Sequence, residues 1–379
     1  MLMRFALLLG FITSYFATSV AVAQTPLTSG GLVVIQVANP LGGPQNTAGS
    51  TMNLVEFSGI TGSSATQVQG INASTGAGSL GLWTSGNTSN IGYLRSNPNG
   101  VMTFTGHTSQ TLTGTNQNTV VERGVGVLNP SGTLSLGTTY TGASGSATRS
   151  AVTSNGVNFY IGDQQGIYLN NGTVNQVLFA VRGMAVYGGQ TYALQSSSTS
   201  GDAVIVAMNP ALPPVSGGVS FASLPGLPNS TSVRDFTMLA SNPGSGVFDT
   251  LYISTTGGVN KFSSDGTTWT ARGTATITGG LYGIASRANG PNVDLFASTG
   301  DGAAAANSIV RYTDSAAFNA TISLGTSTTL FTAAANTTFR GVALTAPVPE
   351  PATILGLSTL ALGVVGIARR RSRGNAVGA

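Results

Sequence analysis

Few side chains in this sequence are equipped for chemistry, and their spacing limits what they can do. Cysteine is absent and His107 is the single histidine. That excludes a disulfide scaffold, a thiol nucleophile and a Cys-based or multi-His metal site. His107 lies in Thr105-Gly-His-Thr108. A histidine base needs a nucleophile and an orienting carboxylate, and no G-x-S-x-G elbow occurs, so a surface-turn histidine is expected. Gly76-Ala-Gly-Ser-Leu-Gly81 fits G-x-G-x-x-G. A dinucleotide site needs a helix N-terminus after that loop. Here Leu80-Gly-Leu-Trp83 reads as a strand, so the glycines read as a turn. Asp163, Asp202, Asp265 and Asp301 each adjoin a glycine. Such turn carboxylates commonly bond their own backbone. A glycosidase needs two carboxylates about 5 to 10 Å apart, and the sequence nominates no pair. No D-x-[DN]-x-[DN]-G calcium loop is present. The expectation is a protein without cofactor or metal that is not an enzyme.

Two further groups point to binding. Arg182, Arg234 and Arg340 open similar segments, Val181-Arg-Gly-Met-Ala-Val186, Val233-Arg-Asp-Phe-Thr-Met238 and Phe339-Arg-Gly-Val-Ala-Leu344. Leu281-Tyr-Gly-Ile-Ala285 is a degenerate copy, and Thr148-Arg-Ser-Ala-Val152 a weaker one. In a cyclic fold these arginines ring one mouth of a channel. One reading is a site for an anion or uronic acid, because a guanidinium fork matches a carboxylate. The other is structural, each arginine bonding carbonyls or an acid of the next repeat. Recurrence at an architectural position favours the structural reading. Trp83, Trp269, Tyr93 and Tyr282 offer flat faces for sugar rings, or core for the sheets.

The elements that must carry these residues read as strands. Between Gln24 and Pro347 no helical period stands out. Apolar runs rich in Val, Ile, Phe, Tyr and Thr alternate with Gly, Asn, Ser and Pro clusters. Three of the repeat openings lead to a second strand, Thr191–Leu194, Asp249–Ile253 and Val293–Ala297, and then to a third, Ala203–Ala207, Gly258–Phe262 and Ser308–Tyr312. That is the order within a propeller blade. Blades are expected near 80–140, 147–178, 181–220, 232–272 and 280–332. The strand left over at the end, Phe339 to Leu344, would join three strands between Gly31 and Ile71 in one more blade, closing the ring with both termini. The expected fold is all-β: a β-propeller of six blades, with seven blades or a β-sandwich pair as alternatives, plus a short C-terminal hydrophobic helix.

Both ends of the chain are addresses. Arg4 precedes an apolar run, and Ala21-Val-Ala23 supplies small residues before Gln24. This is the pattern of a secretory signal peptide over 1–23. The ectodomain then covers 24–346. Residues 347–373 contain Pro349-Glu350-Pro351, an uncharged run from Ile354 to Ala368, and Arg369, Arg370, Arg371 and Arg373; residues 374–379 are a tail. The uncharged run is roughly 23 Å long as a helix, short of the ~20 residues that usually span a bilayer. The terminal arginines would hold its end in the cytoplasm.

This tripartite end resembles the PEP-CTERM sorting signal. The resemblance covers about the last 26 residues, through Pro349, Glu350, Pro351, the span and the Arg cluster. It implies export through the inner membrane of a Gram-negative bacterium and transient anchoring by the C-terminal span. It also implies a partner, an exosortase-like membrane protease or transpeptidase, that removes the tail and passes the protein to the cell surface or extracellular matrix. The ectodomain is similar to propeller-like ectodomains of PEP-CTERM proteins, most closely in Phe-Arg-Gly-Val-Ala-Leu before Pro-Glu-Pro.

The formal charge of +4 and pI near 9.6 belong to these addresses. Without Arg4, the four tail arginines and Glu350, ten basic and ten acidic groups remain. Nucleic acid is therefore not an expected partner, since that affinity rests on neutralising phosphates. A neutral surface rich in Ser, Thr, Asn and Gly suits a hydrogen-bonding partner such as exopolysaccharide. The expected role is structural or adhesive in a polysaccharide matrix. The alternatives are a polysaccharide-acting enzyme on the propeller and a binding protein retained by its single span.

Overall fold

The computed structural model describes residues 25–346 apart from 42–45, 77, 87–90, 173–178, 197–203, 230–231, 243–244 and 304–305. The expected signal peptide, the sorting segment and its expected helix lie outside the described residues. Apart from a 3-10 turn at Gln117–Thr119, the regular elements described are strands. In chain order they begin with β1 (Leu32–Ala38), β2 (Gly49–Ser58), β3 (Thr66–Asn72), β4 (Trp83–Ser85), β5 (Arg95–Ser96), β6 (Met102–His107), β7 (Glu122–Leu128) and β8 (Leu134–Thr141). Then come β9 (Thr148–Thr153), β10 (Phe159–Asp163), β11 (Ile167–Leu169), β12 (Val181–Tyr187), β13 (Gln190–Gln195), β14 (Ile205–Asn209) and β15 (Ser220–Ser223). The remainder are β16 (Val233–Leu239), β17 (Thr250–Thr255), β18 (Gly258–Ser264), β19 (Trp269–Thr276), β20 (Leu281–Asn289), β21 (Asn292–Thr299), β22 (Ser308–Asp314), β23 (Thr328–Thr332) and β24 (Thr337–Leu344).

The sheets are antiparallel meanders. β12 to β15, β16 to β19 and β20 to β23 each form a four-stranded sheet in sequence order, where the repeat spacing expects 181–220, 232–272 and 280–332. β9, β10 and β11 form a three-stranded sheet. β5 to β8 pair consecutively, and β4 links β6 to β2. β24 pairs with β1, β1 with β2 and β2 with β3, so the last strand completes the sheet of the first three, as expected. Leu32 lies opposite Leu344 and Ala38 opposite Thr337. Sealing a ring between its two termini leaves no open sheet edge at the joint.

The opening strands of these groups touch one another in a cycle. β24 contacts β5, β5 contacts β9, β9 contacts β12, β12 contacts β16, β16 contacts β20, and β20 returns to β24. The fold is thus all-β and propeller-like, with sheets following one another around a centre rather than facing as a sandwich pair. Position in the sheet explains sequence character. β9, at the centre, is buried along its whole length, and β12 nearly so. Outer strands β8 and β19 expose most of their Thr, Ser and Gly positions. A strand buried on both faces reads as a continuous apolar run, and a half-exposed one alternates.

Separate apolar clusters fill the spaces between neighbouring sheets, for example Leu194, Phe236, Leu251 and Trp269 between the β12–β15 and β16–β19 sheets. Two buried ion pairs staple adjacent sheets. Arg123 on β7 holds Asp163 on β10, and the Tyr140 hydroxyl donates to the same carboxylate. Lys261 on β18 donates to Asp314 on β22 at 2.8 Å, where the Tyr252 hydroxyl also donates. Burial pushes the Asp163 carboxyl up despite Arg123. In contrast, Asp314 stays below its usual range. There the Lys261, Tyr252 and backbone hydrogen bonds outweigh the burial that would raise it.

Candidate functional site

The centre of the ring has three levels, each built from the opening strands. At one mouth, the second residue of β12, β16 and the fourth of β24 are Arg182, Arg234 and Arg340. Arg149 on β9 and Tyr282 on β20 hold the corresponding places. Tyr93, just ahead of β5, stacks on Tyr282 with ring centroids 5.3 Å apart. Both tyrosines are fully buried, so they serve each other rather than a sugar ring.

The arginines differ in how they are satisfied. Arg340 is fully buried and behaves as the structural reading expects. Its Nε donates to the Gly302 carbonyl at 2.8 Å, Nη1 to the Ser85 carbonyl at 2.9 Å, and Nη2 to the Gly86 carbonyl. Burial pulls its pKa down to about 10. Arg149 donates from Nη1 to the Val181 carbonyl at 2.8 Å, and its Nε has no acceptor among the described residues. Arg182 is partly exposed, yet its Nε and Nη1 are buried without acceptors there.

Beneath this mouth lies the pair Arg95–Asp235. Arg95 Nη1 donates to Asp235 Oδ2 at 3.2 Å, and Nη2 donates to Oδ1. Asp235 also accepts from the Phe236 and Ile284 amides. The Arg95 guanidinium lies 5.6 Å from the Tyr93 ring centroid and 5.7 Å from that of Phe236. Glycine at position 183 makes room, because a Cβ there would come within 2.4 Å of Arg95 Nη2. The sequence carries one signal for this pair. Val233-Arg-Asp replaces the Gly of Val181-Arg-Gly and Phe339-Arg-Gly with an acid, and that acid is Asp235. Arg95 bears no such mark.

At the opposite mouth lies a cavity of about 400 Å³. Its walls include Ala185, Tyr187, Met238 and Ile284, with Arg95, Asn97, Thr237 and Ser286 among the polar groups. Thr237 and Ser286 share a hydrogen bond of 2.7 Å. Among the described residues no carboxylate lines this cavity. Tyr187 and Phe248, 5.2 Å apart, also wall a neighbouring groove of about 370 Å³ that reaches Gln190, Asp249, Thr267 and Trp269. Ala346, on the cavity rim, is the last described residue before the sorting segment.

Other expected candidates separate clearly. His107 is not a surface-turn residue: it ends strand β6 and is fully buried. Its Nδ1 lies 3.0 Å from the Val120 carbonyl. Burial, with Arg123 opposite, lowers its pKa to about 4, so the ring stays neutral. The flanking Gly106 resembles a turn residue, but it lets the strand pass close to Leu82 and Met52 instead. Leu80–Leu82 is not strand, which begins at Trp83, and Gly76, Gly78 and Gly81 all take positive φ in turns without a helix. Asp163, Asp265 and Asp301 each accept a nearby backbone amide, as turn aspartates do. Trp269 is core, and Trp83 is half-buried. Asp202, Ala21, Ala23, Pro349, Glu350, Pro351, Arg369, Arg370, Arg371 and Arg373 lie outside the described residues. Among the described residues no group of three His, Asp or Glu side chains could hold a metal. Nor is any described helix long and apolar enough to cross a membrane.

Residues 347–372 match the PEP-CTERM protein-sorting motif. No curated protein matches the chain. Among solved structures, the chain is similar to the Pseudomonas aeruginosa periplasmic gluconolactonase PpgL at 12% identity and TM-score 0.44. That match covers 84% of this chain and 100% of the other. It is also similar to AztD of Citrobacter koseri at 10% identity, in apo form with TM-score 0.29 (84% and 99% covered) and in a second structure with TM-score 0.32 (85% and 100% covered).

Proposed function

We propose that this chain is an exported surface protein whose C-terminal tail is removed by an exosortase-type enzyme. Its body is a six-bladed propeller with a structural or adhesive role against extracellular polysaccharide. The observation that carries the reading is the sorting motif at 347–372, which follows directly on the closed body that ends at Ala346. The cycle of opening strands β24, β5, β9, β12, β16 and β20 supports a count of six. The Gram-negative cell surface or matrix is the destination that such a signal implies.

A binding role is supported by how five of the described carboxylates are used. Asp163, Asp235 and Asp314 are each held by a cation, and Asp265 and Asp301 close turns. The large cavity offers hydroxyls, an amide and an aromatic wall, groups that suit a neutral sugar.

The test is fractionation of cells making the full chain, with and without the exosortase. Tail loss and arrival at the surface are expected only with the enzyme and with Pro349-Glu350-Pro351 intact. Full-length protein in the membrane in both strains would support the retained single-span reading instead. The released protein is then mixed with the host exopolysaccharide. Co-sedimentation with unchanged polymer length is expected, whereas falling polymer length would favour a polysaccharide-acting enzyme.

A further inference from the structure

The mouth that carries the arginines holds more positive charge than its carboxylates can neutralise. The body as a whole has ten basic and ten acidic groups between Gln24 and Pro349. Four of the basic groups are already in ion pairs, Arg95, Arg123, Lys261 and Arg287. Arg149, Arg182 and Arg340 instead stand at matching places of strands β9, β12 and β24, as Tyr282 of the Tyr93–Tyr282 stack does on β20. Arg149 and Arg182 also repel each other, which adds to the burial that lowers the Arg149 pKa to about 10. The described carboxylates that reach the group are engaged elsewhere. Asp163 is held by Arg123, and Asp301 is an exposed residue that accepts the Ala303 amide.

Unused donors mark where the missing charge belongs. The Tyr93 hydroxyl is fully buried beside that of Tyr282, outside the geometry of a full hydrogen bond with any described residue. The Nε of Arg149, itself only 4% exposed, has no acceptor there, and the same is true of Nε and Nη1 of Arg182. A buried donor without an acceptor costs free energy, and a charged one costs more. Arg340, in the equivalent place, shows what a purely structural arginine looks like here: its Nε and both Nη groups reach carbonyl oxygens. Arg182 leaves its buried Nε and Nη1 without such bonds. Several N–H and O–H groups with no acceptor among them suit an acceptor-rich ligand carrying negative charge.

We infer that Arg149, Arg182 and Tyr93 form a binding site for a small oxyanion at this mouth of the ring. Two sources share that chemistry, the carboxylate of an acidic sugar and free inorganic phosphate. The site is separate from the cavity at the opposite mouth and does not depend on the role proposed for it.

The test measures the melting temperature of the secreted protein with sodium phosphate, with sodium glucuronate, and with sodium chloride at matched ionic strength. At about ten times the dissociation constant, one or both oxyanions should raise Tm by about 2–4 °C beyond chloride. The more effective of the two identifies the source. Arg182→Gln should abolish the rise. Because the buried Arg182 donors are unsatisfied and the guanidinium repels Arg149, the variant should melt no lower than the parent without oxyanion. Arg272→Gln, on outer strand β19, should keep the rise. No rise beyond chloride, or a rise that survives in Arg182→Gln, would overturn the site. Equilibrium dialysis of labelled phosphate and glucuronate against the unmodified protein answers the same question without any variant: retention of either anion supports the site, and retention of neither overturns it.

Discussion

Arg95 and Asp235 meet as a buried two-pronged pair although 140 residues separate them. They belong to β5 and β16, opening strands that are not neighbours in the cycle around the centre. β5 touches β24 and β9, while β16 touches β12 and β20. The pair therefore reaches across the ring. Two more amides, of Phe236 and Ile284, converge on the same carboxylate. Burial lowers the guanidinium's proton affinity, but the adjacent Asp235 more than offsets this and keeps the Arg95 pKa above its ordinary value.

Removing one partner should therefore be far worse than removing both. Asp235→Ala leaves Arg95 charged and buried, and should cost about 3–5 kcal/mol. Arg95→Met combined with Asp235→Leu should recover most of that loss, because a buried ion pair replaced by apolar groups of similar volume is often near neutral. Urea unfolding of the two single variants and the double variant checks this. A double variant no more stable than Asp235→Ala would refute it.

The repeat glycine is a packing requirement at the closing strand. A Cβ on Gly341 would lie 2.3 Å from the Leu94 amide nitrogen and 2.5 Å from the Gly92 carbonyl. The Gly341 amide itself donates to that carbonyl at 2.8 Å. Both obstacles are backbone, so Gly341→Ala should cost about 1–3 kcal/mol through overpacking. Gly156→Ser, in open space though at positive φ, should cost less. Denaturant midpoints of the two variants decide the order.

Closure between the termini should carry a large share of stability. Phe339 on β24 is fully buried in the cluster with Phe57 and Val342, and contacts the Phe57 ring edge-on at 5.9 Å. Phe339→Ala should cost about 3–5 kcal/mol. Limited proteolysis should then cut the chain near its ends first, because the opened joint exposes the edge of β1. Cleavage first in the middle of the chain would contradict this.

His107 sets an acid limit. Its folded pKa is about 4, against an ordinary value near 6.5. Above pH 6.5 both states are neutral and the group contributes nothing to pH dependence. Between pH 6.5 and 4 the unfolded chain takes up a proton that the fold refuses, so stability falls as pH drops, by up to about 3 kcal/mol. His107→Gln should flatten that part of the stability–pH curve. A curve of the same slope in the variant would show that other groups cause the loss.

Much of the architecture was legible because it rests on local rules. Strands alternate with a period of two, turns need glycine or asparagine, and a strand buried on both faces reads as an apolar run. These rules suffice for the order of hairpins, for the repeat beginning Val-Arg-Gly, and for the pairing of Phe339–Leu344 with the first strands. At the site, the three arginines were visible as a repeat, but their separate duties were not. Tyr93 and Tyr282 looked like sugar platforms as much as core, and His107 like a turn residue.

By itself the sequence determined the sorting motif near the C-terminal end, the all-β class and the placement of Arg182, Arg234 and Arg340 at matching points of their repeats. Only the tertiary structure decided which charges meet. Asp235 found Arg95 across the ring, Arg340 found three carbonyls, and Arg182 was left with unused donors. The reason is physical. Strand periodicity is a property of a few consecutive residues, whereas an ion pair or an orphaned donor depends on how distant strands are brought together when the ring closes.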